Sequence, residues 1–270
     1  MFFDSYDTPV FRPPSEARSF ILRVTRGCAH NKCTYCNMYR GVPFQILKDE
    51  EISRQIALAA HYGKNKVRRV FLADGDALVL PTAKLQKLLQ ELRQLKEAGL
   101  KLLYYGMETG DDATLKAVNK GVDGEQAVEA GRRVTASGMK LSMMIILGLA
   151  GAEGSERHAL ATAKAINIIK PTHLSALCLM LYRGSELLDQ YEAGKFNPLS
   201  PAGLMRELKL IIENIDLPAD RHCLFRSNHV SNYVQLAATL PHDKQKLLRD
   251  IDYSIAQLSK LKSWDVYNYN

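Results

Sequence analysis

The stretch "GCAHNKCTYCNMY", residues 27–39, holds three of the chain's five cysteines, Cys28, Cys33 and Cys36. It follows the apolar run SFILRVT at 19–25, so the thiols stand at the carboxyl end of a predicted first strand, where barrel enzymes place their chemistry. Soft thiolates select zinc, copper(I) or iron–sulfur clusters, and a spacing of four and then two residues lets one loop wrap a compact inorganic core. A structural zinc site would add a fourth ligand at a second short spacing, and the loop has none. Three cysteines without a partner pair suggest a cluster iron left open for another ligand. His30 inside the loop, with Cys223 and His229 farther along, supplies a zinc alternative, and three unrelated buried thiols are the plainest one. Cys178 and Cys223 lie in apolar surroundings and read as packed small residues.

Outward from this loop the patterns alternate. Runs at 68–74 (RRVFLAD), 100–108 (LKLLYYGME), 139–149 (MKLSMMIILGL) and 173–182 (HLSALCLMLY) are apolar without clean alternation, as strands buried on both faces are. Between them lie segments of helical spacing. Leu85, Leu88, Leu89, Leu92 and Leu95 form one stripe closed by Gly99. Ser155 is read as opening a helix with Leu160, Ala163 and Ile166 turned inward, and Ser200 with Pro201 as the start of another that carries Leu204, Leu208, Ile211 and Ile212. Strand alternating with helix means a parallel sheet with crossover helices. The expected fold is therefore α/β, a partial (β/α) TIM-like barrel over residues 1–183, with a helical extension over 184–270 packed on the same domain.

Composition sets the class. A chain of 270 residues with 46% hydrophobic and 24% charged residues is globular, and long enough for one large core. The longest apolar stretch, 143–152, falls short of the roughly 20 residues that cross a bilayer, and the start lacks the basic and apolar regions of a signal peptide, so no membrane association and a cytoplasmic location are expected. The net charge of +7 is spread along the chain, which favours a solvated basic surface over an RNA site, though RNA stays open as a partner.

With these residues in place, the sequence resembles the radical S-adenosylmethionine (SAM) enzymes, over about residues 19 to 250. The wording "GC-x-HN-x-C-x-[YF]-C" is that of a subgroup with four residues between the first two cysteines. The loop "FLADGDAL" stands where the family carries a Gly-Gly-Glu-like motif, and "YGMETG" is similar to the "G-x-E-[ST]-G" stretch of methylthiotransferases, the elongator catalytic subunit and oxygen-independent coproporphyrinogen oxidase. "SMMIILGLAG" resembles a stretch ending in "GLPG", with Ala150 in place of proline. The resemblance implies a [4Fe-4S] cluster on Cys28, Cys33 and Cys36, with SAM on the fourth iron. It implies Gly75 and Asp76, with Asp74 beside them, at the amino end of SAM, and Glu108 at its ribose or methionyl end. Tyr35 then packs beside adenine and Ser142 reaches the cofactor from its strand. It further implies an external one-electron reductant of the flavodoxin or ferredoxin type, and a 5′-deoxyadenosyl radical acting on an unidentified substrate. A strand-end carboxylate such as Glu108 also pairs readily with a lysine, and Ser142 is as easily satisfied within a sheet.

"FRSNHVSNY" at 225–233 is rich in hydrogen-bonding groups, which makes Arg226 and His229 substrate-site candidates as well as ordinary turn residues. Arg183, after the last predicted strand, suits either an anionic group or a surface ion pair. One departure stands out. Residues 80–106 offer a single helix before the next strand where relatives carry a further strand and helix, so about five βα units are expected instead of six. No appended domain or second cysteine trio is expected either. A zinc-stabilised RNA-binding barrel and a noncatalytic iron–sulfur protein remain alternatives at this level.

Overall fold

The computed structural model describes residues 10–63, 67, 69–75, 77–81, 83–84 and 102–260. The leucine stripe of 85–95, Gly99, Asp76 and most of the segment expected to lack a βα unit lie outside the described residues. The chain divides into two compact units. One is drawn from Met1–Asn31 and Cys36–Leu100, the other from Lys32–Tyr35 and Lys101–Asn270.

In the first unit β1 (Phe20–Arg23) pairs in parallel with β4 (Val70–Ala73), and the short β2 (Thr25–Arg26) and β3 (Gln45–Ile46) form an antiparallel ribbon. Helix α1 (Asp49–Gly63) packs Ile52 and Ile56 against Leu22, Val24 and Leu47. On the edge of β1 away from β4 the amide and carbonyl of Arg23 are bonded by a side chain instead of a strand. The buried Gln55 side chain on α1 accepts from Arg23 N and donates to Arg23 O, each at 2.9 Å, and so stands in for a neighbouring strand.

The second unit is built on a five-stranded sheet in the order β5–β6–β7–β8–β9. Strands β5 (Leu102–Glu108), β6 (Lys140–Leu147), β7 (His173–Cys178) and β8 (Cys223–Ser227) run parallel, and β9 (Leu236–Leu240) returns antiparallel to β8. Leu141, Met143, Ile145 and Leu147 of β6 fill one face of the strand and are fully buried, while Met144 and Ile146 on the other face are half-buried, so apolar residues stand on both faces. The helices are α2 (Asp112–Ala117), α3 (Gly124–Ala136), α4 (Gly151–Ile169), α5 (Glu186–Glu192), α6 (Pro201–Asn214) and α7 (Lys244–Leu258). Among the described residues no helix is long and apolar enough to cross a membrane.

The α/β class with a parallel sheet is the one expected. The region after residue 184 carries helices, as expected, and also contributes β8 and β9 to the sheet. Ser200 caps α6 by accepting from Gly203 N, with Pro201 at the first helical position, as expected. Helix α4 starts earlier than expected, at Gly151 and without a side-chain cap. Leu160 points outward at 42% exposure, while Ala163 and Ile166 are fully buried, because the buried stripe is completed by Ala159 and Thr162 instead.

Candidate functional site

In the first unit the cysteine loop is tied down by Asp74, the residue after β4. Its side chain is wholly buried. Oδ2 accepts from Arg23 Nε at 3.0 Å, Arg23 Nη2 at 2.8 Å and Gly27 N at 3.2 Å, and Oδ1 accepts from the Tyr39 hydroxyl at 2.7 Å. Gly27 precedes Cys28 and Tyr39 follows Cys36, so one carboxylate grips the loop on both sides. Burial first, and then the hydrogen bond and charge of Asp74, push the Tyr39 phenol well above its usual range, which keeps it a donor. Asn31, at φ 45°, sends its amide N–H toward Cys28 Sγ at 3.4 Å and its side-chain nitrogen to Tyr39 O at 2.8 Å.

Gly75 donates its amide to Gly27 O at 3.2 Å, and a Cβ placed on it would stand 2.8 Å from both Cys28 Cβ and Gly27 O. The close approach that only glycine allows is therefore made to the cysteine loop itself. Asp74, with four donors already on its two oxygens, is committed to holding that loop.

In the second unit the tetrapeptide Lys32–Tyr35 is clamped through its backbone. Thr34 N donates to Val118 O and Thr34 O accepts from Leu187 N, both at 3.0 Å, while Asn119 Nδ2 donates to Lys32 O at 3.2 Å. Tyr35 packs against a cluster that includes Val118, Leu149 and Leu179. Its hydroxyl lies 3.4 Å from Lys120 Nζ, which also donates to Glu108 Oε1 at 3.1 Å. Burial works against the charge of Lys120, but Glu108 and then Cys33 outweigh it and raise the ammonium pKa.

Glu108 ends β5 in the left-handed region, φ 67°, next to a register shift between Gly106 and Glu108. A side chain at Gly106 would collide with Glu108 Oε1, so the glycine gives the carboxylate room to fold back toward Lys120. A non-glycine residue held at positive φ costs of order 1–3 kcal/mol and persists where its surroundings fix it, which is common at functional sites. Lys120 had no role in the sequence reading. Its signal is the turn chemistry around it, Asn119 at φ 52° and Gly121 at φ 81°.

The remaining sequence candidates are dispersed. Ser142 is buried near the amino end of β6, in register with Tyr104 and His173, whereas Glu108 pairs with Ile145 farther along. Arg183 is exposed between β7 and α5, and Arg226 is exposed on β8, with Nη1 donating to Phe225 O at 2.7 Å. His229 Nδ1 lies 2.9 Å from Ser231 Oγ, and burial lowers the imidazole pKa. The polar stretch around it completes the sheet. Strand β8 pairs with β7 only at His173–Ser175, and beyond that point Asn232 Nδ2 donates to Ala176 O at 2.8 Å and Ser231 Oγ accepts from Cys178 N at 3.2 Å. These side chains replace missing ladder bonds.

Among the described residues no three His, Cys, Asp or Glu side chains converge to hold a single metal ion. An iron–sulfur cluster makes no such demand, since each thiolate binds a different iron. The donor set fits a cluster: Cys28, Cys33 and Cys36 are half-buried, and the loop bearing Cys28 rests in the cradle that Gly75 leaves open. Cys178 and Cys223 are buried and pushed up to about 12 by burial, the state of inert packed thiols, as expected from their apolar surroundings.

No family model and no curated protein matches the sequence. Among solved structures the chain is similar to the archaeal Methanocaldococcus infernus Elp3 with an amino-terminal deletion, at 15% identity over 63% of this chain and 39% of that one, TM-score 0.43. It is similar to methylornithine synthase (PylB), at 13% identity over 92% and 83%, TM-score 0.46. A third likeness is to the cobalamin-dependent S-adenosylmethionine radical enzyme OxsB, at 17% identity over 90% and 43%, TM-score 0.43. The chain spans less than half the length of the first and third.

Proposed function

We propose that the chain is a radical SAM enzyme in which Cys28, Cys33 and Cys36 hold a [4Fe-4S] cluster and SAM occupies the iron without a protein ligand. The observation that carries this reading is the grip of Asp74 and the close approach of Gly75 on the loop that bears Cys28 and Cys36, which fix it at the end of β4. A loop held by one wholly buried carboxylate is preorganised for a rigid inorganic core. When bound, such a cluster would supply the one-electron reduction that cleaves SAM to methionine and a 5′-deoxyadenosyl radical able to take a hydrogen atom from the substrate.

The chain's own residues bind and orient. Because Asp74 is saturated, Asp76 is the proposed acceptor for the SAM ammonium, with Gly75 beside it. Glu108 is the proposed acceptor at the ribose or methionyl end, aimed by Lys120. Tyr35, braced by its apolar cluster, is the proposed neighbour of adenine. Arg183, Arg226 and His229 stay candidates for the unidentified substrate. The electron comes from an external flavodoxin- or ferredoxin-type donor, in keeping with a cytoplasmic location.

Anaerobic reconstitution tests the reading. About four irons and about four sulfides per chain are expected, falling sharply in Cys33→Ala and unchanged in Cys178→Ala. Stoichiometric zinc without sulfide, or equal losses in the two variants, overturns it.

A further inference from the structure

Glu207 on α6 and His158 on α4 have no part in the cofactor reading, yet both side chains are fully buried, with His158 Nε2 3.6 Å from Glu207 Oε1. Glu207 Oε1 accepts from Gly148 N at 2.6 Å, at the loop that follows β6, and Oε2 lies 2.5 Å from Ser155 Oγ. On the other side His158 Nδ1 lies 2.7 Å from Thr109 Oγ1, the residue after Glu108, and Thr109 Oγ1 accepts from Asp111 N at 2.9 Å. One line of buried polar atoms thus runs from α6 through α4 to the loops that end β5 and β6. Among the described residues His158 Nε2 has no hydrogen-bond partner within normal reach. With the Thr109 hydroxyl donating to Nδ1, the imidazole proton sits on Nε2 facing Glu207 Oε1, and a carboxylic proton on Oε2 has Ser155 Oγ as its acceptor.

We propose that Glu207 and His158 are positioning residues, a neutral carboxylic acid and a neutral imidazole that together lock the β5 loop bearing Glu108 to the β6 loop. The effect on SAM rests on the cofactor role given to Glu108, whereas the neutrality of the pair does not.

The surroundings favour neutrality. Two separated charges in a dry interior cost several kcal/mol each, and only close contact with good hydrogen bonds offsets that. Among the described residues no Lys or Arg nitrogen forms an ion pair with Glu207, whose other titratable neighbours are His158 and, on β7, the buried Cys178. Arg157 is paired with Asp111 at 2.9 Å and is 57% exposed. Burial raises Glu207 from 4.5 to about 7, against the hydrogen bonds from Ser155 and Gly148. Burial lowers His158 from 6.5 to about 4, with Asp111 opposing and Arg157 assisting.

Proton counting gives the test. The raised carboxyl stabilises the fold fully below about 4.5, and that contribution is lost as pH rises through about 7. The depressed imidazole stabilises it fully above about 6.5, and that is lost as pH falls through about 4. Between about 4.5 and 6.5 the folded pair holds one proton, on Glu207, and the unfolded pair holds one, on His158, so the two slopes cancel. Denaturant unfolding of the full chain without cofactor is therefore measured for wild type, Glu207→Gln and His158→Asn across that window. Relative to wild type, the unfolding constant of E207Q is expected to fall about tenfold per pH unit and that of H158N to rise about tenfold. Profiles parallel to wild type overturn the proposal. ¹⁵N histidine spectra of the wild-type chain need no variant: a neutral His158 ring at pH 6 is expected, and an imidazolium there overturns it. In reconstituted protein E207Q, an isostere of the neutral acid, is expected to keep SAM affinity within about twofold, and Glu207→Ala to lose about tenfold or more. A loss on both substitutions overturns the positioning role, while unfolding profiles as expected in a chain that never binds SAM leave the neutral pair standing and remove the cofactor reading alone.

Discussion

Tyr39 donates its hydroxyl to Asp74 at 2.7 Å across 35 residues of sequence, and the other oxygen of the same carboxylate holds Arg23 and Gly27 N. Asp74→Ala removes the acceptor of four hydrogen bonds, two of them from the guanidinium of Arg23, whose side chain is 5% exposed. Losing several hydrogen bonds to a buried charged group costs about 3 kcal/mol or more in all. Tyr39→Phe loses a single hydrogen bond, about 1–2 kcal/mol. Denaturant unfolding should rank the two in that order, with iron loading following the same rank.

Gly75→Ala is a more selective probe. The new methyl meets Cys28 Cβ and the Gly27 carbonyl, both belonging to the cysteine loop, so the loop must shift. Overpacking of this kind costs about 1–3 kcal/mol. Iron incorporation on reconstitution should fall further than stability does. A variant that loads iron normally would separate Gly75 from the cluster.

Glu108→Gln keeps the shape of the side chain and its hydrogen bond to Lys120 while removing the charge. SAM affinity of reconstituted protein, read by calorimetry, should fall at least about tenfold, or about 1.4 kcal/mol. The unfolding midpoint should move by only a few degrees. Were Glu108 merely the partner of Lys120, affinity would hold and stability alone would drop.

Asn232→Ala distinguishes sheet completion from substrate contact. The substitution leaves Ala176 O without its donor, for a cost of about 1–3 kcal/mol. Thermal unfolding should show this loss in the absence of any substrate. A variant as stable as the wild type would contradict the sheet-completing role of Asn232.

The five strands predicted from apolar runs all form, because buried parallel strands need continuous apolar sequence and advertise it. The start of α6 was equally legible from Ser200 and Pro201, which carry the cap chemistry themselves. Strands β8 and β9 were not. Leu236–Leu240 is LAATL, with little β-branching, and the polar residues after β8 look like a turn when they in fact replace ladder bonds to β7. The onset of α4 has no side-chain cap to read, which moved the expected start to Ser155 and the expected stripe onto the exposed Leu160. Within the candidate site the thiol spacing and the glycine–carboxylate loop were legible as motifs. That Asp74 faces Arg23 and Tyr39, that Lys120 aims Glu108, and that Glu207 meets His158 depend on contacts between distant parts of the chain, which no local pattern encodes.

The central claim is an iron with no ligand from the chain, open to SAM. Electron paramagnetic resonance of the reduced, reconstituted protein with and without SAM tests it most directly, together with assay of the nucleoside released. A spectrum that changes on adding SAM, with 5′-deoxyadenosine formed on reduction, is the expected result. A cluster whose spectrum is indifferent to SAM and which releases no nucleoside would contradict it.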